Sequence, residues 1–560
     1  MYQGPPARAL TPPRRTHRLL TRMHVTFVAL GQEQLGISLL SAILRDAGHE
    51  TSLAFDPALF HDRWYFDVPH LRDVFDRDDA VVDEVVSLAP DLVAFSVLTP
   101  MYTWSLEIAR RVKARLDVPV IFGGVHPSAV PEVCLEEDAI DYVCVGEGDA
   151  ALPALARALE GTRGASIRPD APISNLWWRD AGGQIIRGPS APFIEDLDAL
   201  PFPDRHLWED VVRFDDNAMV FAGRGCPYRC TFCFNNYFAT LSEGRFVRQR
   251  SVDGVITELT ETKARYGVRH FELVDDILTL NKRWMREFFE RYRREIAVPF
   301  SCLVHPRFID DEIAGWLRDA GCDRVQMGIQ SADAEYKKSQ LLRMEKEPHL
   351  QRALEAMSRA GLRMKLDHIF GLPGEPLSAQ EKAAELFRRY PPARINTYWL
   401  SYLPGTEMKR AALEAGVITE EEAARIDRGL GRTFHHGNRG DLESTLSTYQ
   451  RYELLFRLIP LLPAPLLARA RAEALPRLSD GATDAIGFAL DALAALIQGD
   501  SETWMYGKHY VHHLRRAARE RATGRRLPTR APRPVPPVAY PPSARPAPRS
   551  DARRLSVISA

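Results

Sequence analysis

The stretch Gly223-Arg224-Gly225-Cys226-Pro227-Tyr228-Arg229-Cys230-Thr231-Phe232-Cys233 decides how this chain is read. It holds three of the seven cysteines, spaced C-x3-C-x2-C. At that abundance of cysteine, the spacing arises by chance in about one such chain in a thousand. Three thiolates on one loop can converge on a metal ion or cluster. A closed structural zinc site wants a fourth Cys or His close by, and the next ones are His270 and Cys302. Three sulfur ligands leave one iron of a 4Fe–4S cluster open; the alternative is a zinc knuckle completed from afar.

The loop follows a strand-like run at 218–223. Further runs lie near 269–274, 299–304, 324–329, 363–369 and 394–401, with helical spacing between them. Six strand–helix units predict a partial parallel barrel, (βα)6, over residues 217–405. Ahead of it, strand-like runs at Val25–Leu30, Thr51–Phe55, Asp91–Val97, Val118–Phe122 and Asp141–Val145 alternate with helical segments. This predicts an α/β, Rossmann-like doubly wound domain over residues 23–160, with ligands expected at the carboxyl ends of its strands. Residues 161–216 read as a hairpin, turning at Gly182-Gly183, and a Pro- and Asp-rich linker. Residues 406–520 read as a helical region.

The two ends differ from the body. Residues 1–22 hold five Arg and no acid, and residues 521–560 hold nine Arg, nine Pro and one Asp. With +5 and +8 there and −1 overall, the body carries −14. Both ends read as disordered basic tails, and Met23 reads as an alternative start. The acidic body, without a recognisable RNA-binding module, speaks against nucleic acid as partner. Seven cysteines in 560 residues exclude a disulfide-rich secreted scaffold. The Arg- and Pro-rich start lacks the apolar core of a secretory signal. No run of 18 uninterrupted apolar residues predicts a transmembrane segment. A cytoplasmic location is expected.

With its motifs in this order, the chain resembles the radical S-adenosylmethionine (SAM) superfamily. The signature C-x3-C-x-aromatic-C is matched by Cys226, Cys230 and Cys233, with Phe232 as the aromatic. The resemblance implies that the three cysteines hold a 4Fe–4S cluster and that the open iron binds SAM. Reductive cleavage of SAM would give a 5′-deoxyadenosyl radical that takes hydrogen from an unactivated carbon. Asp275-Asp276 resembles the family's acidic pair beside SAM. Gln330-Ser331 resembles its G-x-Q-S segment. Gly371 and Glu375, in Gly371-Leu372-Pro373-Gly374-Glu375, resemble the turn near the adenine. Leu403-Pro404-Gly405-Thr406 matches a later turn. Arg307, in His305-Pro306-Arg307, is a candidate partner for a carboxylate of SAM or substrate, or a structural ion pair. Cys302 and Cys322 read as core residues.

The first domain resembles the cobalamin (B12)-binding domain often fused ahead of this barrel. The matches are Ser96 in Val93-Ala94-Phe95-Ser96, Gly123, Gly124 and His126 in Gly123-Gly124-Val125-His126-Pro127, and Gly146-Glu147-Gly148. Many cobalamin proteins carry D-x-H-x-x-G after the first strand, but here that loop is Gly31-Gln32-Glu33-Gln34-Leu35-Gly36. No lower His ligand to cobalt is therefore predicted, and His126 is expected to structure its own loop.

The resemblance implies a cobalamin-dependent radical SAM methyltransferase acting on an unactivated carbon of a small-molecule or lipid metabolite. An oxidative cyclase or rearrangement enzyme of tetrapyrrole, lipid or secondary metabolism shares every motif. A non-catalytic iron–sulfur or corrinoid sensor or electron-transfer protein is the alternative of another class. No single acid–base catalytic residue is assigned. Cluster reduction implies a low-potential electron donor of flavodoxin or ferredoxin type. The apolar run Leu454–Leu462 could line a substrate channel, cap the barrel or rest on a membrane, which leans the substrate toward a hydrophobic small molecule. The aromatic run Tyr398–Tyr402 could shape the substrate pocket or pack the strand.

Overall fold

A computed structural model describes residues 22–60, 69–162, 168–431, 446–499 and 501–523. The two predicted disordered tails lie almost wholly outside the described residues.

Apolar runs make the strands. β1 (His24–Leu30) is buried at every position, as expected for the centre of a sheet covered on both faces. It lies between β2 (Glu50–Asp56) and β3 (Leu92–Ser96), followed outward by β4 (Val120–Gly123) and β5 (Tyr142–Cys144). All of these pair in parallel. The order β2-β1-β3-β4-β5 reverses direction between β1 and β3, and a crevice opens at such a switch point. The predicted hairpin, β6 (Leu176–Arg179) and β7 (Ile185–Arg187), is not free-standing. It joins β5 antiparallel, with Tyr142 opposite Trp178, and extends the sheet to seven strands. Leu176 and Trp178 are buried there; their alternate spacing needs an apolar sheet neighbour.

The second sheet is open and entirely parallel. Its six strands stand in chain order: β8 (Ala218–Val220), β11 (Phe271–Leu273), β12 (Phe300–Val304), β13 (Cys322–Gln330), β14 (Arg363–Phe370) and β15 (Arg394–Trp399). This is the predicted partial barrel. The predicted first strand breaks after Val220. Gly223-Arg224 instead forms β9, a short antiparallel ribbon with β10 (Arg248–Gln249).

The helix Leu446–Leu458 packs on the outside of the barrel. Leu454, Leu455, Phe456 and Ile459 are buried, and Phe456 stacks on Phe370 at 5.5 Å. Of the run Leu454–Leu462, these four residues are thus committed to packing. Cys302 and Cys322 are buried with sulfurs 4.0 Å apart. Trp399 of the aromatic run is buried, its indole N–H donating to Glu453 at 3.2 Å. The last helix, Ser501–Thr523, reaches back to the first domain. His513 bonds the carbonyl of Val211 at 3.1 Å, and His509 that of Gly31 at 3.3 Å.

One described helix is long and apolar enough to cross a membrane by length and composition: Gly481–Gln498, mean hydropathy 1.2. Asp484 and Asp491 interrupt its apolar run, so a search for uninterrupted runs passes over it.

Candidate functional site at the domain junction

The cysteine loop starts where two backbones run unusually close. A Cβ at Gly223 would come 2.6 Å from the carbonyl oxygen of Arg248. Gly225 has φ +88°, and a Cβ there would come 2.4 Å from the Phe246 carbonyl oxygen. Only glycine fits both positions. The loop then docks on the far side of the barrel mouth. Thr231 donates through its N–H to Leu341 and through its hydroxyl to Gln340, and Phe232 packs beside Leu341 and Leu372. The helix Phe234–Phe238 follows Cys233.

The three sulfurs are partly covered. Burial pushes the Cys226 thiol up to about 12 and Cys233 to about 11, with Asp276 and the neighbouring sulfurs adding to both, and Cys230 rises too. Three mutually repelling, half-buried sulfurs become thiolates only around a cationic centre. Among the described residues, no three His, Cys, Asp or Glu close on a point as ligands of one metal ion.

The acidic pair splits. Asp275 is buried, accepts the N–H of Ala222 at 3.0 Å and is raised by burial to about 7. It ties β11 to the cysteine loop. Asp276 is exposed, accepts from the Asn235 amide at 2.8 Å and faces the cavity described below. Gln330 ends β13 with φ +64°, a strained conformation for a residue with a side chain. Ser331 is fully buried and its hydroxyl accepts the Asp333 N–H at 3.1 Å. Gly371 has φ +74°. Glu375 is buried and raised by burial to about 8. It accepts from Gln380 at 2.8 Å, and Gln380 in turn accepts from His368 at 2.8 Å. Glu375 thus belongs to a buried chain that braces β14 against its helix.

In the first domain, Ser96, Gly123, Gly124, Gly146, Glu147 and Gly148 line one cavity of about 450 Å³. Its floor is apolar, with Phe27, Leu39 and Ile121, and its far wall is Gly223, Arg224, Gly225 and Asp276 of the barrel. Glycines around the rim leave a cradle that side chains would fill. His126 is absent from it. His126 is fully buried, lies tilted against the Tyr102 ring with centroids 4.2 Å apart, hydrogen-bonds Thr99 at 3.3 Å and is pushed by burial to about 3. Glu147 lines the cavity, but its carboxylate is taken by the barrel. It accepts from Arg224 at 3.0 Å and from Arg248 at 2.7 and 3.0 Å. Burial opposes its charge, yet Arg248 and Arg224 hold it below the usual carboxylate range. Arg224 also clasps Asp149.

Sequence reasoning missed a buried group beneath the cysteines. Arg343 donates to Glu345 at 2.8 Å and to the Gly328 carbonyl at 2.9 Å. Burial opposes the charge on Glu345, but His305, 3.6 Å away, and the charges of Arg343 and Lys337 bring it down to about 2. His305 stacks on Tyr228 of the cysteine loop at 4.1 Å. Arg307 follows it on the surface, beside the Tyr228 hydroxyl. Nothing in the spacing of Leu342-Arg343-Met344-Glu345 marks these residues; only the fold brings them under the loop.

A doubly wound domain thus faces the start of the barrel's three-cysteine loop across one cavity. The model of the B12 binding domain matches residues 25–156, and that of the radical SAM superfamily matches residues 220–387. The chain thus carries a B12-binding domain followed by a radical SAM domain. It is 27% identical over 307 residues to an uncharacterized methyltransferase of Pyrococcus horikoshii, covering 53% of this chain and 61% of that one. It is 24% identical over 440 residues to the cytidylyl-2-hydroxyethylphosphonate methyltransferase of Streptomyces wedmorensis, covering 70% and 79%. It is 27% identical over 340 residues to the anaerobic magnesium-protoporphyrin IX monomethyl ester cyclase of Rubrivivax gelatinosus, covering 58% and 59%. The match thus spans about three fifths of the first and third relatives. The fold is that of the radical SAM methyltransferase TsrM from Kitasatospora setae (TM-score 0.55, 19% identity, 70% of this chain and 76% of that one). It is also that of the cobalamin-dependent radical enzyme OxsB (TM-score 0.59, 14% identity, 90% and 84%). The radical SAM domain implies a 4Fe–4S cluster and SAM, and the B12-binding domain supports cobalamin.

Proposed function

We propose that this protein is a cobalamin-dependent radical SAM methyltransferase that methylates an unactivated carbon of a small-molecule or lipid metabolite. The observation that carries this reading is the shared cavity: the rim of the B12-binding domain and the start of the cysteine loop are its two walls. When bound, the cluster with SAM supplies a radical able to take hydrogen from carbon, and cobalamin supplies the methyl group. Cys226, Cys230 and Cys233 would hold the cluster, with Asp276 nearby on the cavity wall. Ser96 and the glycines at 123, 124, 146 and 148 would receive the corrinoid. Arg224 and Arg248 fix the two walls, and the apolar floor keeps water from the reacting groups.

Seven free thiols among the described residues suit a reducing, cytoplasmic setting. The reductant would be a flavodoxin- or ferredoxin-type donor. Anaerobic turnover of the loaded protein with SAM and reductant tests the reading. Mass spectrometry should find 5′-deoxyadenosine and S-adenosylhomocysteine together, both lost in the Cys226→Ala/Cys230→Ala/Cys233→Ala variant. Deoxyadenosine alone would favour the cyclase reading, which the cyclase among the similar proteins supports.

A further inference from the structure

The helix Asp480–Gln498 is built inside out. Its buried positions are small: Thr483, Gly487, Ala494 and Ala495. Gly487 lies under the Arg457 guanidinium, where a Cβ would come 2.7 Å from Nη1, and the same Nη1 donates to Asp491 at 2.7 Å. The large apolar side chains point the other way. Ile486, Phe488, Leu493, Leu496 and Ile497 are 43, 57, 45, 59 and 61% exposed. At about 100° per residue they fill, with Ala485, Ala489 and Ala492, one half of the helix circumference, and no polar side chain interrupts that half. A surface helix of a globular domain shows the reverse pattern.

The charge that follows this helix in the chain is basic: residues 446–520 are nearly balanced, with nine Arg and Lys against eight Asp and Glu, and residues 521–560 hold nine Arg against one Asp. An exposed apolar helix face and a polybasic segment are the two signals that together hold a protein on a bilayer carrying anionic lipid.

We propose that the exposed half of Asp480–Gln498 docks this protein on an anionic phospholipid surface. The helix lies in the interface rather than spanning the bilayer. Its other half is committed to Leu446–Leu458, and crossing would carry the Arg457–Asp491 pair into hydrocarbon. A second copy of the chain is the poorer occupant, because it would bring a second nine-Arg tail to the complex. Docking stands independently of the methyltransferase reading.

Flotation of the full-length protein with vesicles tests this. Binding to phosphatidylglycerol-containing vesicles should exceed binding to pure phosphatidylcholine by about tenfold or more and weaken in high salt. Phe488→Glu/Leu496→Glu, both at exposed positions, should reduce it by about tenfold, with the circular dichroism spectrum unchanged. Changing the nine Arg of residues 521–560 to Gln in the full chain should remove the preference for the anionic vesicles. If the Glu variant misfolds, Leu493→Ser/Ile497→Ser carries the same expectation. Vesicle binding that survives the face variants, or a protein that binds neither vesicle, overturns the proposal. So does a dimer in light scattering that the face variants split while vesicles are ignored.

Discussion

Arg224 grips the carboxylate of Asp149 with both guanidinium nitrogens, at 3.0 and 2.8 Å, although 75 residues separate them. Arg224 stands two residues before Cys226, and Asp149 stands one residue after the Gly-Glu-Gly turn of the B12-binding domain. The first cysteine is therefore held at a fixed place relative to the glycine rim of the first domain. Arg224→Met would leave Asp149 unpaired in a largely buried site, a kind of change that costs about 3–5 kcal/mol. The melting temperature should drop while iron content after reconstitution stays near wild type. Arg224→Lys should recover stability only in part, because an ammonium cannot make the paired contact. Unchanged melting in Arg224→Met would remove the clamp from the account.

Gly225 is the second fixed point. Gly225→Ala places a Cβ against the Phe246 carbonyl and forces an unfavourable φ. The strain should exceed about 1 kcal/mol, and it falls on the residue next to Cys226. Iron bound per chain should fall by half or more, with the far-ultraviolet circular dichroism retained. Full iron loading would show that the loop's start tolerates displacement.

His126 is predicted to hold its loop and not cobalt. His126→Phe should leave the Co(II) electron paramagnetic resonance spectrum of the bound corrinoid unchanged. It should also lower stability, by about 1–3 kcal/mol for the lost hydrogen bond and altered packing. Burial keeps the wild-type imidazole neutral down to about pH 3. Its contribution to stability is thus complete above the ordinary histidine range and lost as pH falls toward 3. Loss of a nitrogen splitting in the variant would reverse the assignment.

Glu375 gives the opposite sign. Burial raises it from 4.5 to about 8, so the folded protein keeps its proton after the unfolded chain has released one. Its contribution is complete below 4.5 and is lost as pH rises through about 8. Glu375→Gln should melt with a flatter pH dependence over that window. Parallel curves for the two proteins would show that the carboxyl is already ionised in the fold.

The sheets were legible because apolar runs of strand length recur between helical segments, and the cysteine loop because its spacing is rare. The hairpin's place was not: Leu176 and Trp178 show alternation, but their partner β5 is more than thirty residues away. Glu147 was placed at the cavity but read as a corrinoid contact. Its carboxylate meets Arg224 and Arg248 instead, a pairing of residues 77 and 101 apart. Asp275 and Asp276 look equivalent in the sequence, yet at a strand end adjacent side chains face opposite ways. The apolar run Leu454–Leu462 stands out by composition and Leu454, Leu455, Phe456 and Ile459 are buried, while the exposed apolar face lies in a helix diluted by alanine and three aspartates.

The central claim is that cluster and corrinoid meet across one cavity. Electron paramagnetic resonance of the reduced protein, loaded with both cofactors, addresses it most directly. The account predicts that the reduced cluster and Co(II) broaden and split one another's signals, compared with protein loaded with either alone. A spectrum that is the simple sum of the two single-cofactor spectra would contradict it.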